Sequence, residues 1–303
     1  MITVLTATYN RGNDLQNLYY SLCKQTDQSF EWLIIDDGSQ DNTEELVNIM
    51  ISSRKIPIRY FKKSNGGKHT AINAGMKLVT NELVFIVDSD DILTNDAIET
   101  IMNYNSKYGI MKEKYKLCGF SFLRAYEDGR INGKYYDNDD FVGNHISIRI
   151  NGKDAKSDKS EVFYTDCLKK YPFPEIENEK FLGEDVVWMR MAREYNMVFV
   201  NKTIYIAEYL EDGLTKNRRK NNIQSPKGCV LRAKEYISKD VNLLLREKNI
   251  LQYLIYGWFA EMRTIDLING TNEKLLTVLS LLPAWVIYQK WCLEYKENSK
   301  YVK

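Results

Sequence analysis

Leu83-Val84-Phe85-Ile86-Val87-Asp88-Ser89-Asp90-Asp91 decides the fold. Five apolar residues in a row read as a strand buried on both faces, as in a parallel sheet. The run stops in three carboxylates. Side by side these repel one another unless a cation or a helix N-terminus compensates. Hard oxygen ligands of this kind suit Mg²⁺ or Mn²⁺ rather than zinc. A second apolar run, Trp32-Leu33-Ile34-Ile35, ends in Asp36-Asp37. Two strands ending in acid at one sheet edge predict a single nucleotide-binding crevice.

The same alternation extends outward. Strands are predicted at Ile2–Thr8, Phe30–Asp36, Ile56–Phe61 and Leu83–Val87. Helices are predicted at Asp14–Lys24, from a capping box at Asp41-Asn42-Thr43-Glu44 through Met50, at Lys68–Val79 and at Asp96–Tyr108. This rhythm implies an α/β fold, a Rossmann-like, mainly parallel sheet with flanking helices, whose ligand sits at the carboxyl ends of the strands. Beyond Tyr115 come a strand to Tyr126, a turn at Glu127-Asp128-Gly129 and a polar stretch Ile131–Asp158 of loops and short strands. A helix Val186–Tyr195 and a strand Met197–Tyr205 follow, and from Ser225 the chain reads as helical and aromatic. The expected division is a catalytic domain over 1–222, with a nucleotide-binding half 1–110 and an acceptor half 111–222, and a helical C-terminal region over 223–303.

The bulk numbers bound the function. The chain has 303 residues, 44% hydrophobic and 27% charged, so a sizeable core is expected. Lys+Arg is 42 against Asp+Glu 41, which argues against a general nucleic-acid binder. Five scattered cysteines form no CxxC pair, so a zinc site is not expected and a reducing, cytoplasmic setting is. Ile2-Thr3-Val4-Leu5 reads straight into a strand without the pattern of a signal peptide. No stretch is apolar enough to span a membrane.

Several short motifs carry chemistry, each with a plainer alternative. Thr8-Tyr9-Asn10-Arg11 offers an aromatic ring for a base and a guanidinium for an anion, or is a simple strand-to-helix turn. Asp36-Asp37-Gly38-Ser39 can accept hydrogen bonds from a pyrimidine ring N–H or from ribose hydroxyls, or can form an Asx turn. Asn65-Gly66-Gly67-Lys68 exposes backbone N–H groups and a positive charge suited to a diphosphate, and is not a Walker A sequence. His69 reads as a structural histidine. Gly183-Glu184-Asp185 opens a helix, where acids favour the dipole or supply a general base. Lys216-Asn217-Arg218-Arg219-Lys220 is a solvated charge run or a basic loop closing over a diphosphate.

Taken together and in this order, these motifs resemble the family 2 glycosyltransferases of the GT-A fold. The resemblance covers residues 1–110 closely and extends to about 220. Lys170-Tyr171-Pro172-Phe173-Pro174 and Glu208-Tyr209-Leu210-Glu211-Asp212-Gly213-Leu214-Thr215 look like a bacterial subgroup making surface polysaccharides. It implies a nucleotide-sugar donor, usually a UDP-sugar, inversion at the anomeric carbon, and a saccharide or lipid-linked acceptor. By position, Thr8, Tyr9, Arg11, Asp36, Asp37, Asn65, Gly67, Lys68, Asp88, Ser89 and Arg218 would contact the nucleotide. Asp90, with Asp88, would hold Mn²⁺ or Mg²⁺; Asp185 would be the catalytic base, supported by Glu184. The chain departs from the pattern in one respect. Many such enzymes add a late histidine to the metal, whereas His69 and His145 both precede Glu184-Asp185. A nucleotidyltransferase and a binding module without turnover are the alternative readings. The C-terminal region, with Leu251–Phe259 and Leu275–Trp291 strongly apolar, is expected to pack as core helices, to form a dimer face, or to lie peripherally on a membrane at its inner face.

Overall fold

The computed structural model describes residues 1–152, 157–207 and 218–295. Its first elements are β1 (Ile2–Thr8), α1 (Gly12–Cys23), β2 (Phe30–Asp36), α2 (Thr43–Ser53), β3 (Ile58–Lys62), α3 (Lys68–Leu78) and β4 (Leu83–Ile86). The four strands are parallel and ordered β3-β2-β1-β4, with Leu5 level with Leu33 on one side and Ile86 on the other. Side chains alternate between faces along each strand. A Cβ on Gly75 of α3 would lie 2.4 Å from Leu5 Cδ1 and 3.1 Å from Ile35 Cγ1, so α3 rests directly on their face. Trp32 points to the opposite face, where Tyr19 of α1 stacks on it at 6.4 Å and Thr6 Oγ1 accepts its indole N–H at 3.0 Å.

The capping box expected at Asp41–Glu44 does not form. Asn42 precedes α2 without a side-chain cap, and the Asp41 carboxylate accepts the Thr43 N–H at 3.1 Å and its hydroxyl at 2.5 Å. The strand expected from Ile56 begins at Ile58, beyond Pro57, which has no N–H to give a ladder.

The sheet continues through β5 (Ile92–Leu93), β6 (Leu117–Tyr126), β7 (Phe141–Gly143), β8 (Lys159–Tyr164) and β9 (Asn196–Ala207). Between them lie α4 (Ala97–Tyr108), α5 (Lys112–Tyr115), α6 (Thr165–Leu168) and α7 (Asp185–Ala192). The described residues form a nine-stranded sheet in the order β3-β2-β1-β4-β8-β6-β9-β5, with β7 against β9. β6 and β9 are parallel, and β8 inserts antiparallel between β4 and β6. β8 escapes sequence patterning because it opens on Lys159-Ser160-Glu161. Lys159 is nonetheless buried, its ammonium donating to the Asn132 and Lys134 carbonyls at 3.0 and 3.1 Å.

The chain divides into two compact units, Met1–Pro172 with Met191–Tyr209, and Phe173–Arg190 with Leu210–Lys303. The second unit contains α8 (Arg218–Gln224), α9 (Pro226–Tyr236), α10 (Leu243–Phe259), α11 (Thr264–Asn269), α12 (Lys274–Leu279) and α13 (Leu281–Tyr295). Its core gathers Tyr253, Leu254, Phe259 and Leu267 around α10, with Ala233 from α9 and Ala284 from α13. Segment 173–190 joins this unit through definite contacts. Phe173 packs on Trp188, and the Glu179 carboxylate accepts the Lys227 and Gly228 N–H groups at 2.9 and 2.7 Å, capping the first turn of α9. Among the described residues, no helix is long and apolar enough to cross a membrane.

Candidate active site

Strand order places the loops. The chain runs from β1 to β2 and β3 on one side, then crosses to β4 on the other, so the switch point lies between β1 and β4. Ligands of open α/β sheets bind outside the carboxyl ends at this position. The flanking loops are Tyr9–Arg11 and Val87–Asp91. Arg11 of the first forms an ion pair with Asp90 of the second. Lys68, the first residue of α3, pairs likewise with Asp88. Four of the sequence-identified residues therefore meet at the switch point.

Hydrogen bonds tie the first loop to the Ser39 turn. Asn10 adopts a left-handed φ of 52°, donates its N–H to Ser39 Oγ at 2.9 Å, and accepts the Gln40 N–H on its side-chain oxygen at 2.8 Å. Tyr9, 45% exposed, offers an open ring face. Thr8 Oγ1 is buried with no hydrogen-bond partner among the described protein atoms.

The Asp36–Ser39 loop departs from expectation. Asp36 is fully buried, accepting the Ser39 N–H at 2.7 Å and the Tyr60 hydroxyl at 2.5 Å. It shapes the turn and has no surface to offer a nucleotide. Asp37, 3% exposed, accepts from Lys63 Nζ at 2.7 Å, Asn65 Nδ2 at 3.1 Å, and the N–H groups of Gly66 and Gly67 at 3.0 and 2.6 Å. The glycine N–H groups read as a diphosphate cradle thus hold an anion, but the anion is the chain's own carboxylate. Asn65 and Gly67 are engaged with it instead of facing outward. Gly38, at φ 87°, lets the two loops close: a Cβ there would lie 3.0 Å from the Asn65 nitrogen. Ser89 is buried too.

The acidic loop rests on residues that no local motif marks. Tyr205 of β9 accepts the Asp88 N–H at 3.0 Å and donates its hydroxyl to Asp91 Oδ2 at 2.7 Å. Arg124 of β6 stacks on the Tyr205 ring at 4.1 Å, with a guanidinium nitrogen 3.9 Å from Asp91 Oδ2. Burial alone would raise the Asp88 carboxyl, but Lys68, Arg124 and Arg11 outweigh it and hold it below the ordinary range. Asp91 goes the other way, pushed up to about 6 by burial and by Asp88 beside it, against the Tyr205 hydrogen bond and Arg124. The one sequence signal was Arg124 itself, a lone charge inside the apolar strand Leu117–Tyr126.

Glu184 and Asp185 open α7 in the second unit. The Asp185 carboxylate accepts from Arg232 Nε at 2.7 Å, from Arg232 Nη2 at 2.6 Å and from the Tyr236 hydroxyl at 2.7 Å. Arg232 and Tyr236 sit one turn apart on α9, so a two-point grip fixes the carboxylate's orientation. Gly183 leaves room for it, since a Cβ there would lie 2.6 Å from Asp185 Oδ1. Of the expected basic loop, Lys216 and Asn217 lie outside the described residues, as does Glu208–Thr215, and of Arg218 only the backbone at the start of α8 is described; Arg219 and Lys220 are helical in α8, Arg219 lying over the Trp291 ring at 4.7 Å.

A sequence profile described as Glycosyl transferase family 2 matches residues 3–112, which span every loop of the switch-point site. The chain carries a family 2 glycosyltransferase domain. Among curated relatives, the glycosyltransferase GlyG of Streptococcus pneumoniae serotype 4 is 30% identical over 181 residues, 59% of this chain and 50% of that protein. The poly(ribitol-phosphate) beta-N-acetylglucosaminyltransferase TarP of Staphylococcus aureus is 35% identical over 108 residues, 35% of this chain and 33% of that one. The chain thus spans half or less of the length of these relatives. The crystal structure of S. aureus TarS 1–349 in complex with UDP-GlcNAc shares the fold, with TM-score 0.62 and 19% identity over 93% of this chain and 80% of that chain. The mannosyltransferase PcManGT of Pyrobaculum calidifontis, in complex with GDP-Man and Mn²⁺, does so at TM-score 0.57 and 15% identity, covering 96% and 82%. The chain therefore has the mainly parallel α/β sheet that its patterning predicts, in the GT-A-like form that the resemblance implies.

Proposed function

We propose that this chain is an inverting glycosyltransferase that moves a sugar from a nucleotide-sugar, of the UDP class, to a hydroxyl of a saccharide or lipid-linked acceptor in bacterial surface polysaccharide assembly. The observation that carries the reading is the pairing of Arg11 with Asp90 and Lys68 with Asp88 at the switch point. It brings two anion-binding and two cation-binding side chains together where a diphosphate and its counter-ion need them. The UDP-GlcNAc complex of TarS favours the UDP class.

A divalent cation fits the donor set in a limited way. Among the described residues no group of three or more His, Cys, Asp or Glu converges, so Asp88 and Asp90 are the carboxylates on offer. Mg²⁺-type sites are commonly built from one or two carboxylates, with substrate phosphates and water as the other ligands. When bound, Mn²⁺ or Mg²⁺ would supply charge stabilisation at the leaving diphosphate. Arg11 and Lys68, given up by Asp90 and Asp88, would turn to the phosphate oxygens. Tyr9 would stack on the base.

In the reaction the acceptor oxygen attacks the anomeric carbon on the face opposite the diphosphate. The bond from that carbon to the diphosphate oxygen breaks, and its electron pair leaves with the diphosphate. The acceptor's proton passes to the Asp185 carboxylate, with Glu184 as the supporting acid. General-base assistance contributes about 10²–10⁴-fold, so Asp185→Asn should lose that much turnover and keep its donor affinity. Release of UDP from UDP-sugars, followed chromatographically, measures the rate, and titration calorimetry measures the binding. A variant with near-normal transfer would remove Asp185 from the base role, and pyrophosphate as product would replace sugar transfer with nucleotidyl transfer.

A further inference from the structure

Asp185 is held more firmly than a carboxylate in the first turn of a helix needs to be. The helix dipole alone favours an acid there. Asp185 takes donors from α9 as well. Arg232 Nε lies 2.9 Å from Oδ1 and 2.7 Å from Oδ2, and Arg232 Nη2 and the Tyr236 hydroxyl reach Oδ2 at 2.6 and 2.7 Å. The arginine is fixed in its turn. Its guanidinium lies over the Tyr236 ring at 4.9 Å, and its Nη1 reaches Gln252 Oε1 of α10 at 3.5 Å. Gly183 belongs to the same arrangement. A Cβ there would lie 2.6 Å from Asp185 Oδ1, 3.3 Å from Arg232 Cδ and 3.4 Å from Arg232 Nε, so the pair fills the space that a side chain would take.

Joining α7 to α9 does not account for these contacts, because Arg190 of α7 and Glu235 of α9 already do that, Nε to Oε1 at 2.8 Å. Proton affinity does not account for them either, since a neighbouring cation makes a carboxylate a weaker base. Placement does. A misplacement of about 1 Å can cost about 10²-fold in rate, and a carboxylate gripped on both oxygens cannot swing away from its partner. The Asp185 and Arg232 side chains each remain 23% exposed, so the clamped carboxylate is still open on one side. We propose that Arg232 and Tyr236 are positioning residues for the base, with Gly183 leaving the room their clamp needs. The proposal rests on the reading of Asp185 as that base. It makes α9 of the helical unit a part of the transfer machinery.

The test is a kinetic cycle on the full chain with Mn²⁺. UDP release from UDP-glucose, UDP-galactose, UDP-GlcNAc and UDP-GalNAc is followed with water as the acceptor, and the donor that the parent turns over fastest is used throughout. Arg232→Gln should lower kcat about tenfold or more and leave the donor KM within about twofold. On an Asp185→Asn background the same change should cost nothing further, because residues that act as a unit are not additive. Gly183→Ala removes no charge and no hydrogen-bonding group. It should lower kcat by displacing the carboxylate, and Tyr236→Phe should do so by loosening it. These two variants decide the matter if Arg232→Gln does not fold, and melting midpoints show which variants are folded. Near-parent kcat in both, or a loss from Arg232→Gln that recurs in full on Asp185→Asn, would overturn the proposal and leave the contacts as a structural tie. Near-normal turnover of Asp185→Asn, or no UDP release by the parent, would instead remove the reading on which the proposal rests.

Discussion

Tyr205 makes two bonds that matter to the site: its oxygen holds the Asp88 backbone and its proton goes to Asp91. Tyr205→Phe leaves a buried carboxylate short of a donor, a loss of about 1–3 kcal/mol. Urea unfolding should show that loss, and the donor KM should rise more than kcat falls, because the strand loop bearing Asp88 and Asp90 loosens. An unchanged KM would confine Tyr205 to a stabilising role. Cys167 supplies a second check at this scale. Burial, with Asp166 adjacent, pushes its thiol up to about 11. A thiol raised on folding favours the native state less as pH climbs, so its contribution to stability is complete below about pH 8.5 and declines toward 11. Labelling native protein with a disulfide reagent at pH 8 should leave Cys167 unmodified, whereas unfolded protein should react there. The sequence shows which side chains are acids; it does not show which acids the backbone has already claimed. Asp36, Asp37 and Asp90 are alike in a motif, and only their partners separate two scaffold carboxylates from one at the crevice.

At the level of elements, β1 to β4 and their helices were legible because each apolar run is bounded by turn chemistry and each helix carries a face of period 3.6. β8 was not, since its polar first half is buried by partners 25 and 27 residues earlier in the chain. Nor could spacing reveal that Glu179 caps a helix that begins with Pro226. In the ladder between β6 and β8 one position has no room for a side chain. Gly119 lies at φ 153°, and a Cβ there would be 1.9 Å from the Val162 carbonyl oxygen. That oxygen belongs to backbone and cannot swing aside. Gly119→Ala should therefore cost about 3 kcal/mol or more, read as a lower unfolding midpoint in urea. A midpoint near that of the parent would mean that β6 and β8 separate more easily than their ladder implies.

On the scale of the whole molecule, the fold class and the helical C-terminal region were readable from the sequence, whereas the chain's division was not a single cut. Segment 173–190, which carries Glu184 and Asp185, belongs with the helices through Arg232, Tyr236 and the α9 cap. These contacts join residues 47 to 51 positions apart, beyond any local pattern. The central claim is that the switch-point crevice of the first unit takes a nucleotide diphosphate with a divalent cation. Thermal unfolding of the parent and of Asp90→Asn, in a panel of UDP-, GDP-, dTDP- and CMP-sugars with and without Mn²⁺, tests it directly, because a ligand of the native state raises its stability by mass action. The account predicts a Mn²⁺-dependent rise with UDP and with one UDP-sugar, lost in Asp90→Asn although that variant folds. No shift with any nucleotide in the folded parent, or the same shift in Asp90→Asn, would contradict it.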